Sequence, residues 1–463
     1  LTVEQLVSRE DAKGAKVYFA VIEKPGRATA QVLAEAVPAI VRAFPWPKSM
    51  RWGGASASTE SLRWVRPLQG IVALFGDDVV PFEIDGVESG SATLGHRFHH
   101  SGPVTIGNAG DYAAKLRACH VIVDQEERRA IIRTGAEKAA ADAGLVLVPD
   151  EGLVIENAGL TEWPVPMLGR FDPAFLEVPQ EVIQLTARVN QKYFVCHDAS
   201  GKLANAFVCT ANITANDGGA AIVAGNEKVL AARLSDAKFF WEQDLKVPLE
   251  KQAAKLKDIV FHEKLGTLKR KVDRVASLAA DFLPEKLGWP ETKARQMQPL
   301  LRQAAQLAKA DLQSGMVGEF PELQGVMGGY YADAEGLSVG NAIRDHYKPI
   351  GPSDSLPSDE IGTILALADK VDTLYSFFLI DQKPTGSKDP FALRRSVMGI
   401  IRLLVENSIR VSLSELYKSA DWERMFQSDG VDHGDPTDSL VEFTIDRLKV
   451  QQREAGVRHD LID

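Results

Sequence analysis

Hydrophobic positions recur with helical spacing through the second half of the chain. From about residue 248 onward, apolar side chains return every three or four positions, which is the period of an amphipathic helix. The stripes cover 265–278, 297–308, 361–374 and 397–404. They predict a compact all-α domain over residues 246–415.

The first half has a different pattern. Short β-type runs alternate irregularly with helical stretches, and glycine and proline interrupt both. This mixture predicts an α+β fold over residues 1–245, as one domain or two subdomains. The predicted strands are 17–22, 71–75, 79–84 and 121–123, and the predicted helices are 111–117, 126–143 and 225–240.

Two further runs predict a β-hairpin. Residues 192–197 and 204–210 are rich in aromatic and β-branched side chains, and they flank the turn-forming residues 198–201. The tail over 416–463 differs again, because glycine, proline and serine near 428–439 indicate a loop or linker. A last helix is predicted over 440–455.

Composition changes the picture in two ways. A length of 463 residues suggests two to four domains, and a net charge of −10 means that any nucleic-acid contact must come from local basic patches. The three cysteines never form a CxxC pair, which favours a reducing, cytosolic compartment over a disulfide framework or a zinc site. No apolar run approaches the roughly 18 residues of a membrane span. Because Leu1 is not a methionine, we expect the natural chain to begin upstream.

The common catalytic motifs are absent from the sequence. There is no GxxxxGK[ST] phosphate loop, no GxGxxG after a strand, no HExxH helix and no GxSxG elbow. Candidate chemistry must therefore be sought in basic clusters and in scattered histidine and aspartate residues.

One basic cluster is a loop with three histidines. Arg97 lies beside His96, His99 and His100, next to Gly95, where a phosphate could approach the backbone closely. A metal site is disfavoured because no carboxylate or thiol stands at ligand spacing. The loop is therefore either a phosphate contact or simply an exposed polar loop.

Two other clusters lie on predicted helices. Lys228 and Arg233, with Lys238 beyond them, form a basic helix edge, which is either an RNA contact or an ordinary solvated face. Residues 257–274 have a local net charge of +3 and are the best phosphate-facing candidate of the helical domain. The basic residues of this segment are Lys257, Lys264, Lys269, Arg270, Lys271 and Arg274.

A fourth cluster surrounds a helix start. Asp389 is the predicted N-cap, with Pro390 at the first helical position. Capping does not explain the cations around this helix start, where unpaired N–H groups favour an anion. We expect a phosphate or terminal-adenosine site here, and the cations concerned are Lys383, Lys388, Arg394 and Arg395.

Four residues of the helical half resemble a metal-ligand set. His262, Asp311, His346 and Asp369 have separations similar to those in HD-type metal phosphohydrolases, which hold one or two metal ions. The adjacent His-Asp pair of those enzymes reads Ala310-Asp311 in this chain. Because a ligand is missing, we expect a retained scaffold without a working metal site.

Nine strings, in order along nearly the whole chain, resemble the β subunit of the bacterial heterotetrameric glycyl-tRNA synthetase. The strings are KSMRWG (48–53), TLGHRF (93–98), TEWP (161–164), QKYF (191–194), GNEKVL (225–230), LGTL (265–268), MVGEFPELQG (316–325), ALADK (366–370) and PTGSKDPFALRR (384–395).

The resemblance implies a role in translation. In that family the large subunit binds tRNA(Gly), and a separate α subunit activates glycine with ATP and Mg²⁺ in a cytoplasmic α2β2 assembly. It also implies that the helical domain is HD-like with degenerate metal ligands, and that the α+β half is similar to B3-B4 editing-type and tRNA-binding modules. Family members begin before Leu1 and continue into a helical anticodon-binding-type domain, so 416–463 would hold a linker and the start of that truncated region.

The predicted function is therefore that of a tRNA-binding subunit with no bound cofactor and no catalytic residue of its own. The alternatives are an HD-type metal phosphohydrolase acting on nucleotides or tRNA ends, and an RNA-binding scaffold unrelated to aminoacylation. The candidate tRNA-binding residues are His96, Arg97, Lys192, Lys228, Arg233, Lys264, Lys269, Arg270, Arg274, Lys383, Lys388, Arg394 and Arg395.

Overall fold

The computed structural model describes residues 6–10, 14–20, 25–59, 61–418 and 434–462. Two compact units are interleaved along the chain. The first consists of Leu1–Leu168, Lys192–Phe194 and Val208–Val223, and the second of Gly169–Gln191, Val195–Phe207 and Ala224–Asp463.

The strands are short and lie mainly in the first half of the chain. They are β1 (Leu6–Glu10), β2 (Lys16–Ala20), β3 (Ile71–Val72), β4 (Leu74–Phe75), β5 (Asp78–Val79), β6 (Glu83–Ile84), β7 (Val87–Gly90), β8 (Ala92–Leu94), β9 (Pro103–Thr105), β10 (Val146–Leu147), β11 (Val165–Arg170), β12 (Phe194–His197), β13 (Leu203–Ala211), β14 (Val260–His262) and β15 (Gly266–Thr267).

These strands form several small sheets. The largest has the strand order β10-β12-β13-β11, and a three-stranded sheet has the order β3-β7-β6. In the latter, β3 runs parallel to β7, whereas β6 pairs with β7 as an antiparallel hairpin. The remaining pairs, β1-β2, β4-β5, β8-β9 and β14-β15, are antiparallel ribbons.

Helices occur in both units and dominate the second. The α-helices are α1 (Thr29–Ala43), α2 (Ala109–Ala118), α3 (Gln125–Asp142), α4 (Glu151–Leu160), α5 (Gln180–Leu185), α6 (Ala220–Asp244), α7 (Leu249–Ala254), α8 (Leu268–Ser277), α9 (Leu283–Lys286), α10 (Glu291–Leu307), α11 (Gly315–Glu319), α12 (Val326–Ala334), α13 (Gly340–Asp345), α14 (Glu360–Leu379), α15 (Leu393–Glu406), α16 (Leu413–Tyr417) and α17 (Thr437–Glu454).

Helix α14 lies at the centre of the second unit. Almost its whole length is buried, including the polar residues Asp369, Lys370 and Asp372. A helix that is buried on all sides must be covered by neighbours, and α8, α10, α13 and α15 pack against it. Helix α17 also belongs to this unit: the Phe443 ring lies 5.2 Å from that of Phe378.

The coarse predictions are confirmed. The chain is mixed α and β, and every helical stripe corresponds to a helix, with boundaries that shift by a few residues. The predicted hairpin is present, since β12 and β13 are neighbours joined by a short turn. Helix α8 begins later than its stripe because 266–267 form a strand, and the Thr267 side chain caps the helix.

Three strand predictions need correction. Residues 121–123 form no strand, because the Ile122 N–H donates to the carbonyl of Glu162 outside any sheet. The run 79–84 is divided between β5 and β6, and Pro81 between them has no N–H to donate to a ladder. The run 71–75 is likewise divided, since β3 and β4 join different sheets.

Parts of two predicted segments lie outside the residues that the structure describes. Residues 21–24 and 419–433 are not described, so the end of the run 17–22 and most of the loop near 428–439 are not assessed. Among the described residues, no helix is both long and apolar enough to cross a membrane.

Candidate nucleic-acid interface and a buried charge cluster

The residues that resemble HD metal ligands only partly converge. Asp311 and His346 are completely buried, and Asp369 is nearly so. Asp311 lies in a 3₁₀ turn after α10, His346 follows α13, and Asp369 belongs to α14. His262 is half-buried on β14, where its ring contacts Phe377 and Phe391.

Lysine side chains fill the position between these groups. The Lys309 ammonium lies 3.1 Å from His346 Nε2 and 3.2 Å from Asp369 Oδ1. Lys271 Nζ lies 3.1 Å from the same Asp369 oxygen. An ammonium therefore bridges the two atoms that would share a metal ion, and its positive charge opposes metal binding there.

The other polar atoms of this region are also engaged. Asp311 Oδ2 accepts the N–H groups of Gly325 (2.6 Å) and Gly328 (2.9 Å), and burial raises its pKa to about 6. His346 donates from Nδ1 to the Ile343 carbonyl at 2.6 Å, which leaves Nε2 to accept from Lys309. Burial, assisted by the charge of Lys309, lowers the His346 pKa to about 3.

These contacts do not support the metal-hydrolase alternative. In the described part of the chain, no group of three or more His, Cys, Asp or Glu residues could hold a metal ion. Asp311 acts as a backbone acceptor, and His346 and Asp369 accept from lysine. The arrangement is a charge-compensated packing cluster.

Asp372 extends this cluster and corrects one of the predicted RNA contacts. Its Oδ1 accepts from Arg274 Nε at 2.6 Å, and its Oδ2 accepts from Lys271 Nζ at 2.9 Å. Burial works against ionisation of Asp372, but Arg274 and Lys271 together keep its pKa below the ordinary value. With only 4% of its surface exposed, Arg274 is a core residue and not part of an RNA-facing surface.

The basic edge of α6 is at the surface. Lys228 and Arg233 are exposed. Lys238 differs, because its ammonium donates to Glu177 Oε2 at 2.7 Å and to the carbonyl of Ala174 at 3.2 Å. Two of the three predicted cations of this edge are therefore presented to solvent.

The basic residues at the start of α8 also differ in their exposure. Lys264 and Arg270 are exposed, and Lys269 pairs with Asp273 one turn along the helix. Lys271 points inward with Arg274. The outward group Lys264, Lys269 and Arg270 thus forms a basic surface, and the inward pair holds α8 against α14.

The start of α15 differs from its prediction. The helix begins at Leu393, and Ala392 occupies the N-cap position with a φ of 53°. Asp389 still caps the helix from further upstream, because its two oxygens accept the N–H groups of Leu393 and Arg394, each at 2.9 Å. Since the predicted N-cap and first helical position lie in the preceding turn, the helix is shorter by several residues.

The cations of this segment have different surroundings. Arg394 donates to the carbonyl of Gly386 at 2.6 Å and so braces the loop. Lys383 Nζ lies 3.5 Å from Asp381 Oδ1. Lys388 and Arg395 are exposed.

The histidine-rich loop contains a second predicted RNA contact that the structure corrects. His96 is completely buried, and its Nε2 donates to the Asn212 carbonyl at 2.6 Å. It therefore holds the loop in place and cannot touch a phosphate. Arg97 is exposed beside it, over the ring of Phe98.

Asn212 was not identified from the sequence. Its Oδ1 accepts the N–H groups of Glu162 (2.8 Å) and Trp163 (2.9 Å), and its carbonyl accepts from His96. The residue therefore joins the strings TLGHRF and TEWP, although no local pattern distinguishes it. Lys192, in the string QKYF, pairs with Glu156 at 2.8 Å.

Comparisons with known proteins identify the family. The family model described as "Glycyl-tRNA synthetase beta subunit" matches residues 1–463. Similar curated proteins include the "Glycine--tRNA ligase beta subunit" of Phenylobacterium zucineum, which is 50% identical over 100% of this chain and 65% of the relative. The proteins of the same name from Rhodospirillum centenum and Ruegeria sp. are 48% and 47% identical, over 100% of this chain and 66% and 65% of the relatives.

This chain thus spans about two thirds of the length of the curated relatives that it matches. The similarity is not confined to one domain, since it covers every part of the sequence in which the quoted strings occur. The chain belongs to the glycyl-tRNA synthetase β subunit family.

Proposed function

We propose that the protein binds tRNA(Gly) and positions its acceptor end for glycylation by a separate α subunit. The observation that carries this proposal is the family match over residues 1–463. Because the chain spans 65% of a relative such as that of Phenylobacterium zucineum, the activity is proposed for the whole protein that contains it. Orientation of the acceptor end would accelerate the reaction by making the encounter with activated glycine effectively intramolecular.

The exposed cations, together with the half-buried Lys269, are the proposed RNA contacts. They form four groups, each drawn from a different part of the chain, and phosphate contacts of this kind fix the position of a nucleic acid without reading its sequence. Lys192 and Arg394 would contribute indirectly, through their loops. The groups are Arg97; Lys228 and Arg233; Lys264, Lys269 and Arg270; and Lys383, Lys388 and Arg395.

The catalytic chemistry would reside in the partner. We propose that the α subunit supplies the site for ATP, Mg²⁺ and glycine, that the subunits form an α2β2 assembly in the cytoplasm, and that this chain has no catalytic residue. The sequence supports this division because it contains none of the common nucleotide-binding motifs.

The proposed domain boundaries are those inferred from the sequence. Residues 1–245 would form a B3-B4-like tRNA-binding region, 246–415 an HD-like helical domain, and 416–463 a linker and the start of an anticodon-binding-type region. The buried residues Asp311, His346 and Asp369 support the HD-like proposal, because Lys309 links His346 to Asp369 and Asp311 is buried two positions after Lys309.

Glycylation assays test the proposal. The full-length protein is assayed with and without the α subunit on cognate tRNA, and tRNA binding is measured in parallel. We expect aminoacylation only in the mixture and RNA binding by this protein alone. Metal-dependent phosphate release by the protein alone, or an inactive mixture, would contradict the proposal.

Charge reversal tests the surfaces. Lys228→Glu should weaken tRNA binding, because it replaces a phosphate contact with a repulsive charge. Arg295→Glu is the matched control, since Arg295 is an exposed helical cation outside the four groups. Equal effects of the two variants on tRNA affinity would show that Lys228 makes no specific contact.

A further inference from the structure

A small pocket lies against the buried charge cluster. It has a volume of about 260 Å³ and opens between α14 and α15. Asp369, Lys370 and Thr373 line it from α14, and Arg395 and Ser396 from α15. Arg395 is already among the proposed RNA contacts, but neither Lys370 nor the pocket itself has a role in the proposed function.

Lys370 is a buried cation without a carboxylate partner. Only 7% of its surface is exposed, and its Nζ donates to the carbonyls of Tyr347 and Lys348, each at 3.0 Å. Among the described residues, it forms no ion pair with a carboxylate. Because an ammonium has three N–H groups, one donor remains for a ligand.

The position of this ammonium is fixed by packing. A Cβ atom on Gly399 would lie 2.6 Å from Lys370 Cε, so any larger residue there would force the lysine stem to move from its present position across α15. Gly399 faces α14 in the middle of α15, where glycine otherwise weakens a helix. The glycine therefore permits Lys370 to reach the pocket.

Arg395 supplies a second cation. It is exposed, and its guanidinium makes no hydrogen bond or ion pair with the part of the chain that the structure describes. It also lines a larger neighbouring pocket of about 480 Å³, together with Pro349, Ile350 and Met398. The two pockets share Pro349, Ile350 and Arg395, so they adjoin.

Two cations at the pocket form no ion pair. Lys271, Arg274 and Lys309 pair with Asp369 and Asp372, and the buried Asp345 pairs with Lys348. Lys370 and Arg395 form no ion pair with the described residues, although Asp354 attracts Lys370 electrostatically. Burying unpaired charge is costly, and a bound anion would relieve that cost. Glu322 also lines the pocket, but it is exposed to water.

We propose that the smaller pocket binds the phosphate of a nucleotide, with Lys370 and Arg395 donating to its oxygens, and that the attached nucleoside occupies the larger pocket. The volume of about 480 Å³ lies within the range of ordinary small-molecule sites. Arg395 would span the junction, where its planar guanidinium suits a phosphate. In its RNA form this inference rests on the proposed function, because the nucleotide would then be part of the bound tRNA.

The test uses AMP as the probe. AMP is titrated calorimetrically into the full-length protein, and Arg395→Gln, Lys370→Met and Gly399→Ala are compared with the control Arg295→Gln. We expect the dissociation constant to rise about tenfold or more in Arg395→Gln, since the phosphate loses a charge-assisted hydrogen bond. The control should bind AMP as the unmodified protein does.

Three results would overturn the inference. They are no AMP binding at millimolar concentrations, AMP binding that Arg395→Gln leaves unchanged, and AMP binding that folded Lys370→Met or Gly399→Ala leaves unchanged. Because Arg395 is exposed, its variant remains informative if the two buried substitutions prevent folding.

Competition identifies the source of the nucleotide. If cognate tRNA displaces AMP, the pocket takes a nucleotide of the RNA; if saturating tRNA leaves AMP binding unchanged, it takes a free mononucleotide. The glycylation assay keeps the two proposals apart. AMP binding without any tRNA binding would contradict the proposed function alone, and tRNA-dependent glycylation without AMP binding would contradict this inference alone.

Discussion

At the scale of single residues, lysine and arginine side chains neutralise the buried carboxylates of the ion cluster. Lys309 and Lys271 both approach one oxygen of Asp369, and Arg274 shares Asp372 with Lys271. Each buried charge is stable only because an opposite charge lies close to it. Removal of one partner should therefore affect the fold more than removal of a surface pair.

Asp372 offers the clearest test of this interdependence. Asp372→Ala leaves Lys271 and Arg274 buried without their shared carboxylate, and we expect a loss of about 3–5 kcal/mol in the free energy of unfolding. The control is Lys269→Ala on α8, the helix that carries Lys271 and Arg274. Its pair with Asp273 is partly exposed and should contribute about 0–1 kcal/mol. Urea denaturation of both variants measures the difference, and similar losses would contradict a buried, interdependent cluster.

Two neighbouring residues should affect the pH dependence of stability in opposite directions. The pKa of His346 falls from 6.5 to about 3 on folding. Between these pH values the imidazole is protonated in the unfolded chain and neutral in the folded chain. The pKa of Asp311 rises from 3.8 to about 6, so between these values the folded chain binds a proton that the unfolded chain lacks. Each effect changes stability by about 1.4 kcal/mol per pH unit, and between pH 4 and 6 they oppose each other.

Single variants separate the two effects. Between pH 4 and 6, His346→Gln should be stabilised on acidification relative to the unmodified protein, because only the Asp311 effect remains. Asp311→Asn should be destabilised on acidification by a similar amount, because only the His346 effect remains. Urea midpoints at several pH values measure these slopes, and parallel pH profiles for all three proteins would refute the assignment.

At the scale of elements, α14 and α15 organise the second unit. Helix α14 is buried along almost its whole length, so its polar residues must find partners on neighbouring elements. Helix α15 packs against it and carries Gly399, across which Lys370 lies. The N-terminus of α15 must be held accurately for this packing, and Asp389 provides that restraint.

Loss of the cap should loosen the start of α15. In Asp389→Ala the N–H groups of Leu393 and Arg394 lose their acceptor, which costs about 1 kcal/mol of helix stability. Hydrogen–deuterium exchange should show faster exchange in the first turn of α15. Ser387→Ala, an exposed change in the same loop, is the control, and equal exchange in both variants would contradict a capping role.

At the scale of the whole molecule, the proposed binding of RNA by an acidic chain would depend on local surfaces. The net charge of −10 would repel RNA at long range, whereas a local basic group such as Lys264, Lys269 and Arg270 would attract it at short range. Salt screens both the repulsion and the attraction. Each phosphate contact also releases counterions from the RNA, so the affinity for RNA falls as the salt concentration rises.

The salt dependence of tRNA binding should report these contacts. Replacing Lys264, Lys269 and Arg270 together by glutamine should weaken binding and reduce the slope of log K against log salt by about 2–3, because each lost phosphate contact removes about 0.7–0.9. Filter binding at several salt concentrations gives the slope. An unchanged slope would show that this surface does not meet the RNA.

The sequence by itself determined the elements and the family. Helical stripes predicted every long helix of the second unit, because apolar period depends on local sequence alone. Nine ordered strings identified the family, since each is a local match. Short strands were less predictable. Pro81 separates β5 from β6, and residues 121–123 form no strand because the Ile122 N–H donates to the carbonyl of Glu162.

Only the tertiary structure decided which charged residues face water. Lys269 and Lys271 are two positions apart on α8, yet one pairs at the surface and the other lies in the core. His96 and Arg97 are adjacent and also point in opposite directions. A charge can be buried only where an oppositely charged partner lies beside it, and for Lys271 the partners are Asp369 and Asp372. Because these partners are distant in sequence, the residues around Lys271 do not predict its burial.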